Sequence, residues 1–121
     1  MNVIVWGLGY VGTVSAACFA NDGHNVIGID INSFKVDTIN EGKAPISEKY
    51  LDNIIQTVTS SGHFKAQVDT EKDLDNFDLS LICVGTPSAG DGSTELNYVT
   101  AVAKNIGQLI ANFQVLKNYM N

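Results

Sequence analysis

The chain has 121 residues and a mass of 13.0 kDa, enough for one domain with its own core and too little for a second catalytic domain beside it. Its 45% hydrophobic and 17% charged residues exclude disorder of the whole chain. The 7 basic residues, all lysine, face 13 acids for a net charge of −6, so no basic patch for nucleic acid or an anionic membrane surface can be assembled.

The N-terminus lacks a basic flank, and its apolar run stops at Gly7, so it reads as neither a signal peptide nor a spanning helix. A cytoplasmic, reducing compartment is expected, with Cys18 and Cys83 as small packing residues rather than a disulfide pair. Residues 2–6 (Asn-Val-Ile-Val-Trp) are rich in β-branched side chains and predict a buried strand. Residues 10–22 predict a helix whose Gly12, Ala16 and Ala20 form a small face suited to close packing on a sheet, stopped by Gly23. Residues 25–30 repeat the strand pattern, and Ser33 is the expected N-cap of a helix ending near Gly42.

Beyond Pro45, Leu51, Ile54, Ile55 and Val58 recur at helical spacing and form one apolar stripe. A strand is expected around residues 64–68, a short acidic helix over 69–75 and a fourth strand over 79–84. A Gly-, Ser- and Asp-rich loop follows over 88–94, then a last helix over about 95–113. Strands alternating with helices predict an α/β class: a Rossmann-type, doubly wound parallel sheet of about four strands in the order 3-2-1-4, incomplete as a doubly wound fold. Residues 1–113 form that domain, and residues 114–121 read as a tail.

The chemistry lies in Gly7-Leu8-Gly9-Tyr10-Val11-Gly12, a G-x-G-x-x-G that follows a predicted strand and opens a predicted helix. Gly7 permits the tight turn, Gly9 lets backbone N–H groups approach a diphosphate, and Gly12 lets the helix lie close to the sheet. Alone, the motif is equally a glycine-rich turn. Asp30, 18 residues beyond Gly12 at the end of the second strand, supplies an acceptor for ribose hydroxyls and repels a 2′-phosphate. No arginine is present to bind that phosphate, so NAD is expected over NADP. Lys35, one turn into the next helix, is placed to contact the ribose, to pair with Asp30 or simply to be solvated. The turn at Gly85-Thr86-Pro87 follows the fourth strand at the switch point, where Thr86 offers a hydroxyl and an N–H to the cofactor.

Three blocks make this pattern more specific: residues 6–12 (Trp-Gly-Leu-Gly-Tyr-Val-Gly), residues 23–30 (Gly-His-Asn-Val-Ile-Gly-Ile-Asp) and residues 82–87 (Ile-Cys-Val-Gly-Thr-Pro). Together they resemble the N-terminal NAD-binding domain of the nucleotide-sugar dehydrogenases, the UDP-glucose and GDP-mannose 6-dehydrogenase family, over about residues 1–113. The stretch 39–48 resembles the GDP-mannose branch slightly more closely. The resemblance implies a soluble enzyme that oxidises the C6 alcohol of a nucleotide sugar to the acid in two NAD-linked steps through a thiol-bound intermediate. It places cofactor contacts on Tyr10, Val11, Asp30, Lys35 and Thr86.

The chain departs from the family in having Glu48-Lys49-Tyr50-Leu51 where Glu-Pro-Gly-Leu is usual, which bears on where the local helix starts, and Glu95 where Asp is usual. The family's catalytic cysteine, its helpers and its sugar-binding residues have no counterpart here, so the chain on its own is expected to bind cofactor without catalysing. Cys18 and Cys83 have no neighbouring basic group in sequence and do not read as nucleophiles. His24 and His63 are isolated, so no metal site is expected. The alternative is a non-catalytic dinucleotide-binding or self-assembly module whose open sheet edge favours a homo-oligomer.

Overall fold

The computed structural model describes residues 1–68, 76–84, 100, 103 and 104. The acidic helix expected over 69–75 and the turn carrying Thr86 lie outside these residues, as does most of the helix expected over 95–113, of which Thr100, Ala103 and Lys104 are helical.

Four strands, β1 (Asn2–Trp6), β2 (Asn25–Ile29), β3 (Phe64–Gln67) and β4 (Leu79–Ile82), pair in parallel in the order β3-β2-β1-β4. That is the expected strand order, with β2 and β3 each ending one residue early and β4 two. In register, Trp6 stands between Ile29 and Ile82, so β1, β2 and β4 end at one level. The chain passes from β1 to β2 through α1 (Tyr10–Asn21), and from β2 to β3 through α2 (Ser33–Asn40) and α3 (Leu51–Ser60).

Alternation along β1 divides the core. Val3 and Val5 face a large cluster with Ala16, Ala17, Ala20, Ile39, Ile55, Val58 and Phe64, whereas Ile4 and Trp6 face a smaller one with Ile29 and the flanking Ile27 and Phe77. Burial on both faces explains why the strand reads as a continuous apolar run. The small face of α1 is buried as expected: Gly12, Ala16 and Ala20, joined by Thr13 and Ala17. The stripe of α3 buries Leu51, Ile55 and Val58, each contributing about 1.5–3 kcal/mol, and leaves Ile54 partly exposed.

Two local expectations are corrected in the helices. The N-cap of α2 is Asn32, not Ser33, because the Asn32 side chain accepts from the amides of Phe34 (3.0 Å) and Lys35 (3.3 Å). Cys18 is exposed rather than packed, since it falls on the face of α1 opposite the small residues. Where the sequence departs from the family pattern, α3 nevertheless starts at Leu51, with Tyr50 as N-cap in the left-handed region at φ 68°. At the outer side of β3, the Asn40 amide donates to the Ala66 carbonyl at 2.8 Å and accepts from its N–H at 3.0 Å, occupying backbone groups that another strand would otherwise use.

Candidate dinucleotide site

The loop leaving β1 is shaped by two glycines for two different reasons. Gly7 has φ 98°, and a Cβ there would lie 2.6 Å from the Cys83 carbonyl oxygen and 2.9 Å from the Val84 Cα, so this turn presses directly on the end of β4. Its amide donates to the Ile29 carbonyl at 2.7 Å, tying the loop to β2 as well. A Cβ at Gly12 would fall 1.8 Å from the carbonyl oxygen of Gly7, just beyond β1, and 3.3 Å from the Cβ of Cys83, just beyond β4, so the missing side chain lets the first turn of α1 lie against the loop and the strand ends.

Gly9 differs from both. It is the N-cap of α1, at φ −78° and ψ −154°, with no side-chain cap, and a Cβ there would meet no atom of the described residues within 4 Å, its two chain neighbours aside. Nothing in the packing of the described residues requires glycine at this position. The space left open lies at the helix N-terminus, where the first-turn amides have no intrahelical acceptor and the helix dipole favours an anion. Tyr10 and Val11, the first two helical residues, are largely exposed beside it. The Tyr10 hydroxyl donates to Glu48 Oε2 at 2.8 Å, and this bond together with the carboxylate's charge raises the phenol pKa above its ordinary 10.0.

Leu8, the residue between the first two glycines, is fixed at three points. Its side chain is fully buried against Gly28, its carbonyl accepts from the buried Thr13 hydroxyl at 3.0 Å, and its amide donates to Asp30 Oδ2 at 2.8 Å. Asp30 follows β2, its amide bonded to the Gln67 carbonyl at 3.2 Å, and its Oδ1 accepts from the Asn32 amide at 2.9 Å. A carboxylate offers about four lone-pair sites, so each Asp30 oxygen keeps one acceptor position for a ligand. Lys35 is half-buried in the first turn of α2, and its ammonium forms no ion pair with Asp30 among the described residues.

The structure thus brings Gly7, Gly9, Tyr10, Val11, Gly12 and Asp30 to one end of the sheet, with Lys35 one turn away on α2; Thr86 lies outside the described residues. The motif and its spacing give no sign of Leu8, Asn32 or Glu48 as partners of these residues. For Asn32, the preference for Asn at an N-cap is an available signal. Neither cysteine is suited to be a thiolate nucleophile: burial raises the Cys83 pKa, and Cys18 lies on the outer face of α1. Among the described residues no group of three or more His, Cys, Asp or Glu side chains could hold a metal ion, and no helix is long and apolar enough to cross a membrane.

A parallel β1-loop-α1-β2 unit with a tight glycine loop and an acid after the second strand defines a dinucleotide-binding domain of the Rossmann class. Residues 1–118 match the family model described as the UDP-glucose/GDP-mannose dehydrogenase family, NAD binding domain, and the chain belongs to that family. GDP-mannose 6-dehydrogenase from Pseudomonas savastanoi pv. phaseolicola is 44% identical over 110 residues, covering 91% of this chain and 25% of that protein. UDP-glucose 6-dehydrogenase from Rhizobium meliloti is 37% identical over 117 residues, covering 96% and 27%. The crystal structure of a ternary complex of GDP-mannose dehydrogenase from Pseudomonas aeruginosa superposes with a TM-score of 0.86 at 43% identity, over 91% of this chain and 25% of that one. The chain spans about a quarter of the length of these relatives.

Proposed function

We propose that this chain binds NAD and serves as the cofactor-binding part of a nucleotide-sugar 6-dehydrogenase acting on GDP-mannose or UDP-glucose. In that reading the diphosphate sits over Gly9 against the first-turn amides of α1, flanked by Tyr10 and Val11. Gly7 and Gly12 shape the loop, the ribose diol takes the two free acceptor positions of Asp30, and Lys35 and Thr86 complete the contacts. The observation that carries the reading is Gly9: among the described residues no packing calls for a glycine there, and the open space faces the helix N-terminus. NAD would supply a hydride acceptor; the chain's own groups bind and orient it. The choice of NAD over NADP follows from the Asp30 carboxylate, which accepts hydroxyls and repels a phosphate on the same ribose. Higher identity to the GDP-mannose enzyme than to the UDP-glucose enzyme favours GDP-mannose as the sugar nucleotide of the whole protein.

Isothermal titration of NAD and NADP into the chain tests this. A saturable NAD isotherm with NADP weaker by about tenfold or more is expected. Absence of NAD binding up to millimolar concentration, with the fold intact by circular dichroism, or tighter NADP than NAD, contradicts it.

A further inference from the structure

We propose that Asp30 couples the two halves of the dinucleotide site: the same carboxylate that receives the ribose holds the glycine loop in its diphosphate-binding shape. The inference deepens the NAD-binding reading and rests on it.

The geometry behind it is the three-point fixation of Leu8. The Leu8 side chain is held in the core and its carbonyl by the Thr13 hydroxyl; the preceding Gly7–Leu8 peptide packs its carbonyl against Gly12 and is anchored at its amide by the 2.8 Å bond to Asp30 Oδ2. The following residue is Gly9, whose open face is the diphosphate position. Asp30 is itself braced, by its amide on Gln67 and by the Asn32 amide on Oδ1, so the carboxylate is a fixed post and not a mobile surface charge. Two backbone N–H groups spread its charge, which allows an anionic side chain to stand beside an anion site.

The two possible roles of Asp30 predict opposite signs for a ligand that has no ribose. If Asp30 reads only the ribose, deleting its charge leaves inorganic pyrophosphate bound as before or more tightly, because a repulsive charge has gone. If Asp30 also holds the loop, deletion leaves the Leu8 amide without its acceptor and weakens pyrophosphate. Asp30→Asn removes the charge and leaves one oxygen for the two amides that the carboxylate serves, so it can keep the Leu8 bond only by giving up the Asn32 one.

The experiment measures pyrophosphate and NAD binding to the full 121-residue chain by calorimetry, with hydrogen exchange at the Leu8 amide followed by NMR. In Asp30→Ala, pyrophosphate binding should fall by about tenfold and the Leu8 amide should lose protection, with NAD weakened further. In Asp30→Asn, pyrophosphate binding should follow Leu8 protection, both retained if the oxygen stays on Leu8 and both lost if it turns to Asn32, while NAD weakens by about tenfold; pyrophosphate binding that does not follow Leu8 protection counts against the coupling. Asp30→Ser, whose hydroxyl is too short to reach Leu8, stands in should Asp30→Ala not fold. Pyrophosphate binding that is unchanged or tighter in the truncated variants, with Leu8 still protected, overturns the coupling and leaves the NAD site standing. A wild-type chain that binds neither ligand overturns the NAD site and the coupling with it.

Discussion

The hydroxyl of Tyr10 donates to Glu48 at 2.8 Å, fastening the first residue of α1 to the connection that leads into α3. Because the carboxylate accepts this proton and its charge opposes a phenolate, the Tyr10 pKa lies above 10.0. A group whose pKa is raised on folding adds stability that is fully present below its unfolded pKa and is lost as pH rises through the folded value. The contact is therefore intact at neutral pH and weakens only in the alkaline range above 10.0. Ultraviolet titration of the phenols, with Tyr10→Phe used to assign the late component, should show Tyr10 titrating above its ordinary value. Glu48→Gln should move that component down; if it stays in place, Glu48 is not the cause.

Tyr50 occupies a left-handed backbone conformation at φ 68°, which costs a side-chain-bearing residue about 1–2 kcal/mol. Its ring is largely exposed, with the Lys49 ammonium 5.0 Å from the ring centre, so little packing offsets that strain. Tyr50→Gly should therefore stabilise the chain by about 1 kcal/mol after the added flexibility of the unfolded glycine is subtracted, raising Tm by about 4 °C. Thermal unfolding checks this, and a lower Tm would show that the exposed ring contributes more than its surroundings indicate.

The two thiols should differ sharply in reactivity. Cys18 is exposed on α1, whereas Cys83 is half-buried with its pKa raised by desolvation. Ellman's reagent in mildly alkaline buffer should label Cys18 in a fast phase that Cys18→Ser abolishes and Cys83→Ser leaves intact. Equal rates at both positions would contradict the packing of Cys83 behind the glycine loop.

The first two strands were legible because each is a β-branched run ending at a glycine or acidic stop, and the order because strand-helix alternation admits few topologies; β3, Phe64-Lys-Ala-Gln67, holds no β-branched residue and carries little signal of its own. The stripe of α3 was legible from its helical spacing. In α1 the exposed positions Val11 and Cys18 are as apolar as the buried ones, so periodicity could not assign Cys18 to a face. The glycine roles were half legible: spacing marks a phosphate loop, but the packing shows that Gly12 makes room for the Gly7 carbonyl while a Cβ at Gly9 meets nothing among the described residues beyond its chain neighbours. The bonds from Leu8 to Asp30 and from Tyr10 to Glu48 join positions 22 and 38 residues apart, and side chains of ordinary type at such separations leave no local pattern.

Calorimetric titration of NAD into the wild type and Gly9→Ala, run side by side, tests the dinucleotide site most directly. The added methyl meets no atom of the described residues within 4 Å beyond its chain neighbours, and the Gly9 backbone is extended, so Gly9→Ala should fold with its stability changed by no more than about 1 kcal/mol. The methyl nevertheless occupies the space assigned to the diphosphate, and NAD affinity should fall by at least about tenfold. A Gly9→Ala variant that folds normally and binds NAD as tightly as the wild type would place the cofactor elsewhere and contradict the account.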